Sequence, residues 1–181
     1  TATAVRLTES GGALTGGLGA LGDRIDGVTS LTLTGLSDTL TMTDFLSQPL
    51  GTLIAGGGSD KLTLMLNSAA LIDGGKGGDQ ITGTMTMGGT VIGGGGTDTI
   101  NLSGGTTLSS ASIVANGGDG NDVITLNSYS GFVTVTGDAG ADTINVGLAS
   151  LAFVEGGSGV DQIALTAVGG TASGGTEDDT I

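Results

Sequence analysis

The chain has 181 residues, including 39 glycines and a single proline, and it contains no cysteine, histidine or tryptophan. The absence of Cys and His excludes disulfides, a thiol nucleophile, a Ser-His-Asp triad and the usual zinc and haem sites. Four Lys or Arg against 18 Asp or Glu give a formal net charge of −14, so we expect no nucleic-acid partner. No apolar run is long enough to predict a transmembrane segment.

Residues 1–50 carry the weakest pattern. Candidate turns centre on Asp23 and Asp38, and each has an apolar residue two positions later, but their glycines are mostly missing. Pro49 lies in an irregular stretch that predicts a loop at residues 44–51. We interpret residues 1–50 as degenerate coils of the repeat that follows.

A repeat centred on an aspartate occupies residues 51–181. Examples are GGKGGDQI at 74–81, GGGGTDTI at 93–100 and GGDGNDVI at 117–124. Successive aspartates are separated by 18 to 24 residues, most often by 19. A repeat of this length is typical of solenoid architectures. The repeat aspartates are Asp60, Asp79, Asp98, Asp122, Asp142, Asp161 and Asp179.

Hydrophobic residues recur in register with these aspartates. Leu or Ile stands two residues after each one, and an aliphatic residue stands seven residues before it. Alternating apolar positions beyond a Gly-rich turn predict short strands with one buried face. Two strands and two turns per ~19 residues describe one coil of a parallel β-solenoid. We therefore predict an all-β solenoid of about nine coils, in which residues 1–50 and 51–181 form one continuous stack.

Stacking the coils would place the aspartates about 5 Å apart along one edge. Two carboxylates at that distance repel by roughly 1 kcal/mol in bulk water, and by roughly 3 kcal/mol at an effective dielectric constant near 20. Carboxylates and backbone carbonyls are the ligands that Ca²⁺ prefers, so the pattern predicts one row of about six calcium ions. The alternative is that each aspartate caps its own turn through local hydrogen bonds.

The motifs resemble the nonapeptide GGxGxDxUx of the RTX (repeats-in-toxin, hemolysin-type) calcium-binding family. The resemblance covers about residues 55–181, and it implies a right-handed parallel β-roll with Ca²⁺ between adjacent turns. It implies that the ligands are the repeat aspartates together with carbonyls of the Gly-rich turns. Carried over, those turns contain Gly74, Gly75, Gly77, Gly93, Gly94, Gly96, Gly117, Gly118, Gly120, Gly137, Gly140, Gly156, Gly157 and Gly159.

The chain departs from that family pattern in two ways. Its motif recurs every ~19 residues rather than every nine, which predicts one calcium row instead of two. Asp138 and Glu177 occupy positions where the motif has glycine, so the turns of Asp142 and Asp179 are expected to be the weakest sites.

The sequence contains no catalytic constellation, so we expect no enzymatic activity. The resemblance and the Thr-, Ala- and Gly-rich composition favour a calcium-stabilised structural segment of a bacterial surface-layer, sheath, fibre or adhesin protein, located outside the cell. One alternative is a calcium-triggered folding and secretion module of a secreted enzyme or toxin. Another is an ice-binding solenoid, which the differing offsets of the Thr-x-Thr pairs disfavour. The expected partners are further copies of the chain, stacked end to end, and a cell-surface polysaccharide.

Overall fold

The computed structural model describes residues 5–6, 30–33, 35–43, 51–104 and 111–181. These residues form strands and turns without a helix. Consequently, within these ranges no helix has the length and apolar character required to cross a membrane. The predictions at Asp23 and Pro49, and nearly all of the loop at 44–51, lie outside the described residues.

Sixteen strands are defined in the described ranges. In chain order they are β1 (Val5–Arg6), β2 (Ser30–Thr32), β3 (Thr39–Thr43), β4 (Thr52–Ile54), β5 (Lys61–Leu66), β6 (Ala70–Lys76), β7 (Gln80–Met85), β8 (Gly88–Gly95), β9 (Thr99–Gly104), β10 (Ser112–Asp119), β11 (Val123–Asn127), β12 (Phe132–Ala139), β13 (Thr143–Ala149), β14 (Leu151–Ser158), β15 (Gln162–Ala167) and β16 (Gly170–Thr176).

The strands alternate between two parallel sheets. One sheet has the order β1-β2-β4-β6-β8-β10-β12-β14-β16, and the other has the order β15-β13-β11-β9-β7-β5-β3. Successive coils therefore lie on top of one another in chain order, which defines a β-solenoid of about seven turns spaced ~19 residues apart. The predicted fold class is confirmed, and the remaining expected coils fall largely on residues outside the described ranges.

Two columns of aliphatic side chains fill the interior. In one sheet Leu62 pairs with Ile81, and the column continues through the residues at the same place in each coil. The column from the other sheet faces it, and both are 5% exposed or less. Each such side chain contributes roughly 1.5–3 kcal/mol on burial. The columns are Leu62, Ile81, Ile100, Ile124, Ile144 and Ile163, and Leu53, Ile72, Val91, Ala115, Val135 and Val154.

The two edges of the solenoid differ in regularity. At the edge with the aspartates, three residues connect each strand of the larger sheet from β6 to β14 to the next strand of the smaller sheet. These connections are 77–79, 96–98, 120–122, 140–142 and 159–161. At the opposite edge the connections that the structure describes in full vary from the single residue Ser150 to the four residues 128–131. The aspartate edge is therefore the part of the coil with fixed geometry.

Candidate metal centre

The repeat aspartates point into the solenoid rather than out from its edge. Because successive side chains of a strand point to opposite faces, each carboxylate points to the same face as the Leu or Ile two residues later. Asp60, Asp79, Asp98, Asp122, Asp142 and Asp161 are 2% exposed or less, and Asp179 is half-buried. Asp38, also 2% exposed, extends the same line by one coil. We call these eight residues the aspartate row.

Each carboxylate from Asp60 to Asp179 accepts a hydrogen bond from the backbone of the preceding coil. Oδ1 of Asp122, for example, accepts a hydrogen bond from the backbone N–H of Asp98 at 2.7 Å. The bond connects neighbouring coils, so the expectation that each aspartate caps its own turn does not describe it. Donor and acceptor pairs at 2.6–2.9 Å are Asp38 to Asp60, Asp60 to Asp79, Asp79 to Asp98, Asp98 to Asp122, Asp122 to Asp142, Asp142 to Asp161 and Asp161 to Asp179.

The second carboxylate oxygen is buried and has no hydrogen-bond partner. This holds for Oδ2 of Asp60, Asp79, Asp98, Asp122, Asp142 and Asp161. Leaving a buried acceptor unpaired costs roughly 1–3 kcal/mol, and a charged one costs more. Six such atoms lie in consecutive coils at the same place in the repeat, and a proton or a cation at each would relieve this cost.

From Asp79 to Asp161 each unpaired oxygen lies beside a glycine five residues earlier in its own coil, whereas Asp60 has Ala55 at that position. A Cβ placed on Gly74 would be 2.6 Å from Oδ2 of Asp79 and 2.5 Å from the carbonyl oxygen of Gly93 in the next coil. Both oxygens thus pack closely against the backbone of Gly74, which leaves no room for a side chain at that position. The same arrangement recurs at Gly93, Gly117, Gly137 and Gly156.

This donor set fits a hard cation such as Ca²⁺, which takes carboxylate and carbonyl oxygens. Within the described residues no three acidic side chains converge on one point, so backbone oxygens would complete the coordination. Some turn carbonyls already accept hydrogen bonds, as Gly95 does from the N–H of Gly77 at 2.6 Å. A carbonyl oxygen has two lone pairs, so such a bond leaves it able to contact an ion.

The other predicted glycines hold the backbone of the turn. Four and two residues before the aspartate the chain adopts positive φ, for example 98° at Gly75 and 120° at Gly77. Residues of this kind are Gly75, Gly94, Gly118 and Gly157 at the first position, and Gly77, Gly96, Gly120, Gly140 and Gly159 at the second. Asp138 and Glu177 adopt the same conformation at 74° and 78°, so these departures from the motif keep the shape of the turn.

Burial shifts the acidity of the aspartate row. Desolvation raises the pKa of Asp60 and of Asp122 to about 6, even though the hydrogen bond from the preceding coil lowers the pKa of each. The pKa of Asp79, Asp98 and Asp142 is raised for the same reason, and neighbouring carboxylates add to the rise. Burial thus disfavours the negative charge on these five carboxylates, and a bound cation would favour it.

The remaining acidic residues lie outside the row. Asp119, Asp138 and Asp178 are exposed, and Oδ2 of Asp138 accepts a 2.6 Å hydrogen bond from Nδ2 of Asn116. Asp38 was not among the predicted ligands because its turn lacks the glycines. The apolar Leu40 two residues later was the available signal that it belongs to the row.

No protein-family model, no curated protein and no solved structure matches this chain.

Proposed function

We propose that this chain is a calcium-stabilised structural solenoid of an extracellular bacterial protein, such as a surface layer, sheath, fibre or adhesin. The observation that carries the proposal is the line of six buried carboxylate oxygens without a partner. Ions in that line would supply the missing positive charge. Only four Lys or Arg exist in the whole chain, so side chains cannot supply it.

The residues that would hold the ions are the carboxylates of the aspartate row and the glycine carbonyls beside them. Calcium tolerates irregular sets of oxygen ligands, whereas magnesium requires a near-ideal octahedron and retains its waters. Since both oxygens come together only when two coils stack, ion binding would be coupled to folding. The ion's contribution is electrostatic and structural.

The extracellular assignment rests on affinity and on the repeat. Calcium modules outside cells bind with dissociation constants of about 10⁻⁴–10⁻³ M, which match a site built from few carboxylates. The folded state of such a chain is less stable at cytosolic calcium concentrations, and it gains stability from calcium once the chain is exported. The repeat's resemblance to that of RTX proteins supports the same assignment.

End-to-end stacking is part of this proposal. In the described residues β16 pairs only with β14, and Thr180 covers only the start of the outer edge of β15, so both strands have positions that further strands can join. An open solenoid end of this kind favours association with another copy unless it is capped.

Circular dichroism tests the proposal directly. The strand signal should be weaker and should melt at a lower temperature in EGTA than in millimolar CaCl₂, and an equal concentration of MgCl₂ should restore much less of it. A strand signal that ignores chelation and added calcium would refute calcium stabilisation.

A further inference from the structure

The outer face of the larger sheet carries apolar side chains that are exposed to solvent. Phe132 and Phe153, two of the three phenylalanines in the chain, are 49% and 47% exposed. They alternate with buried residues along β12 and β14, so they point away from the core. Leu71 and Val114 are exposed on the same face. Adjacent exposed apolar residues of this kind are typical of a surface that binds another molecule.

Large and small side chains alternate from coil to coil on this face. Strand pairing places the residues of one column side by side, with a threonine between each pair of large residues. The large residues therefore recur at every second coil, about 9.6 Å apart, and the threonines leave a groove between them. In stacking order the column is Leu71, Thr90, Val114, Thr134, Phe153 and Thr171.

The next column on the same face has a different order of sizes. Gly88 and Ser112 lie in β8 and β10, whereas Phe132 and Leu151 lie at the same position in β12 and β14. The small residues of this column thus lie on one side of the line between β10 and β12, and the large residues lie on the other side. Both columns are complementary to themselves when the face is inverted about that line.

A two-fold axis parallel to the strands, midway between β10 and β12, describes this complementarity. It would place Phe153 opposite Thr90 of a second copy, and Phe132 opposite Ser112 of that copy. An axis through β10 itself would instead place two copies of Val114 opposite each other. The large-to-small pairs across the midway axis are Val114 with Thr134, Phe153 with Thr90, Leu71 with Thr171, Phe132 with Ser112 and Leu151 with Gly88.

The same axis keeps the acidic residues of the face apart. A third outward column contains Asp73 in β6 and Glu155 in β14. Across the two-fold axis Asp73 would face Ser173, and Glu155 would face Ile92. No carboxylate of these two residues opposes another, so the contact avoids the repulsion that like charges across an interface produce.

The area of the face is sufficient for a specific interface. Six strands from β6 to β16 cover about 29 Å at the spacing of stacked strands, and seven residues of strand cover about 23 Å. Two copies would thus bury roughly 1,300 Å² in total, which lies within the range of stable protein–protein interfaces.

We propose that the outer face of the larger sheet pairs with the same face of a second copy in a two-fold lateral dimer. The large side chains of each copy fill the grooves beside the threonines of the other, as in an isologous interface. This contact uses the face of the sheet, whereas end-to-end stacking uses its open edge. It therefore adds a second direction of association to the proposed structural solenoid, and it does not depend on ions in the aspartate row.

Cross-linking with engineered cysteines tests the dimer, because the chain has no native cysteine. Asp73→Cys and Ser173→Cys are prepared as separate proteins, which keeps every apolar residue of the face. In the dimer, residue 73 of one copy lies opposite residue 173 of the other, at the sheet separation of about 10 Å. Two copies of residue 73 would be at least about 24 Å apart. A bismaleimide with an ethylene spacer should therefore cross-link the mixture and neither protein alone.

End-to-end stacking does not produce the same cross-link. It would put β1, β2 and β4 of one copy between β16 of the other and β6, a separation of at least about 19 Å. Equal yields from the mixture and from each protein alone would show random collision and would overturn the lateral dimer.

Phe153→Ser in both cysteine proteins should weaken dimerisation about tenfold or more, because each copy loses a buried ring at the interface. Val168→Ser is the matched control, since Val168 is 93% exposed and lies at the opposite edge of the solenoid. It should leave the yield unchanged. Circular dichroism establishes that each variant is folded. A folded Phe153→Ser pair that cross-links as well as the control overturns this inference, whereas calcium stabilisation is decided separately by the comparison of EGTA and CaCl₂.

Discussion

The backbone N–H of Asp98 donates to Oδ1 of Asp122 at 2.7 Å across 24 residues of chain. The N–H of Asp79 makes the same bond to Asp98 at the same distance across only 19 residues. The contact is thus independent of how long a coil is. The stacking of neighbouring coils determines this hydrogen bond, and the additional residues of the longer coil lie away from it.

Asp122→Asn should have opposite effects with and without calcium. The amide oxygen of Asn can still accept from the N–H of Asp98, so the substitution removes a buried charge and keeps that hydrogen bond. In EGTA at pH 7.5 we expect the variant to be more stable by about 1 kcal/mol. In calcium we expect it to be less stable by at least as much.

Urea denaturation in both buffers measures this crossover. Asp119→Asn is the control, because that exposed residue lies in the same turn and changes the charge equally. Equal shifts in both buffers would mean that Asp122 contributes only a hydrogen bond.

The calcium-free protein should lose stability as pH rises from about 4 to about 6. Unfolded aspartates release their protons near 3.8, whereas the folded pKa of Asp60 and Asp122 is about 6. Between these values the unfolded state binds fewer protons, so rising pH favours unfolding, and the loss is complete above the folded pKa. Urea midpoints in calcium-free buffers from pH 3.5 to 7.5 measure it. Saturating calcium should reverse the trend, and a midpoint that rises with pH without calcium would contradict the prediction.

Adjacent glycines should differ sharply in their tolerance of alanine. Gly96 has φ of 126°, and its Cβ would collide with the carbonyl oxygen of Gly77, so Gly96→Ala should cost about 2 kcal/mol or more. Gly95 has ordinary φ and open space, so Gly95→Ala should be neutral or stabilising by about 0.4–1 kcal/mol. Thermal melts in calcium compare the two. Equal costs would show that the turn is not constrained as described.

Tyr129→Phe should stabilise the protein. Tyr129 is 4% exposed, its hydroxyl oxygen has no hydrogen-bond partner, and burial raises its pKa. Removing an unpaired buried hydroxyl should gain about 1 kcal/mol, because the ring packing is retained. A rise of the melting temperature by a few degrees is expected, whereas a fall would indicate that the hydroxyl is bound in solution.

Stacked copies should give filaments in calcium. Electron microscopy should show fibres, and diffraction from aligned material should show a meridional spacing of about 4.8 Å, the distance between stacked strands. Compact particles of one size at high protein concentration, with calcium present, would contradict end-to-end association. EGTA should disperse any filaments, which distinguishes them from nonspecific aggregates.

Much of this fold could be predicted from the sequence, because aliphatic residues recur at fixed offsets from the repeat aspartates and so reveal the length of the coil. Ile81 and Ile100 follow their aspartates by two positions, and they form the predicted buried column. The same even offset places Asp79 on the interior face, although a charged residue in a turn is ordinarily expected to face solvent. Which atoms the carboxylates bind depends on the stagger of neighbouring coils, and no single repeat contains that information.

Asp38 illustrates the other limit of sequence reasoning. The glycine pattern identifies turns with positive φ, but membership of the row needs only a carboxylate and an N–H in register. Asp38 meets that requirement through its 2.6 Å bond to Asp60 without the glycines of the motif.

The unequal edges make this molecule a natural scaffold for variation on one side. Every three-residue connection at the aspartate edge is held by bonds to its neighbours, whereas the described connections at the opposite edge vary from one to four residues. Peptides can therefore be grafted between β9 and β10, or between β11 and β12, without disturbing the register of the coils. A lineage could diversify what that side displays while the other side continues to hold the stack together.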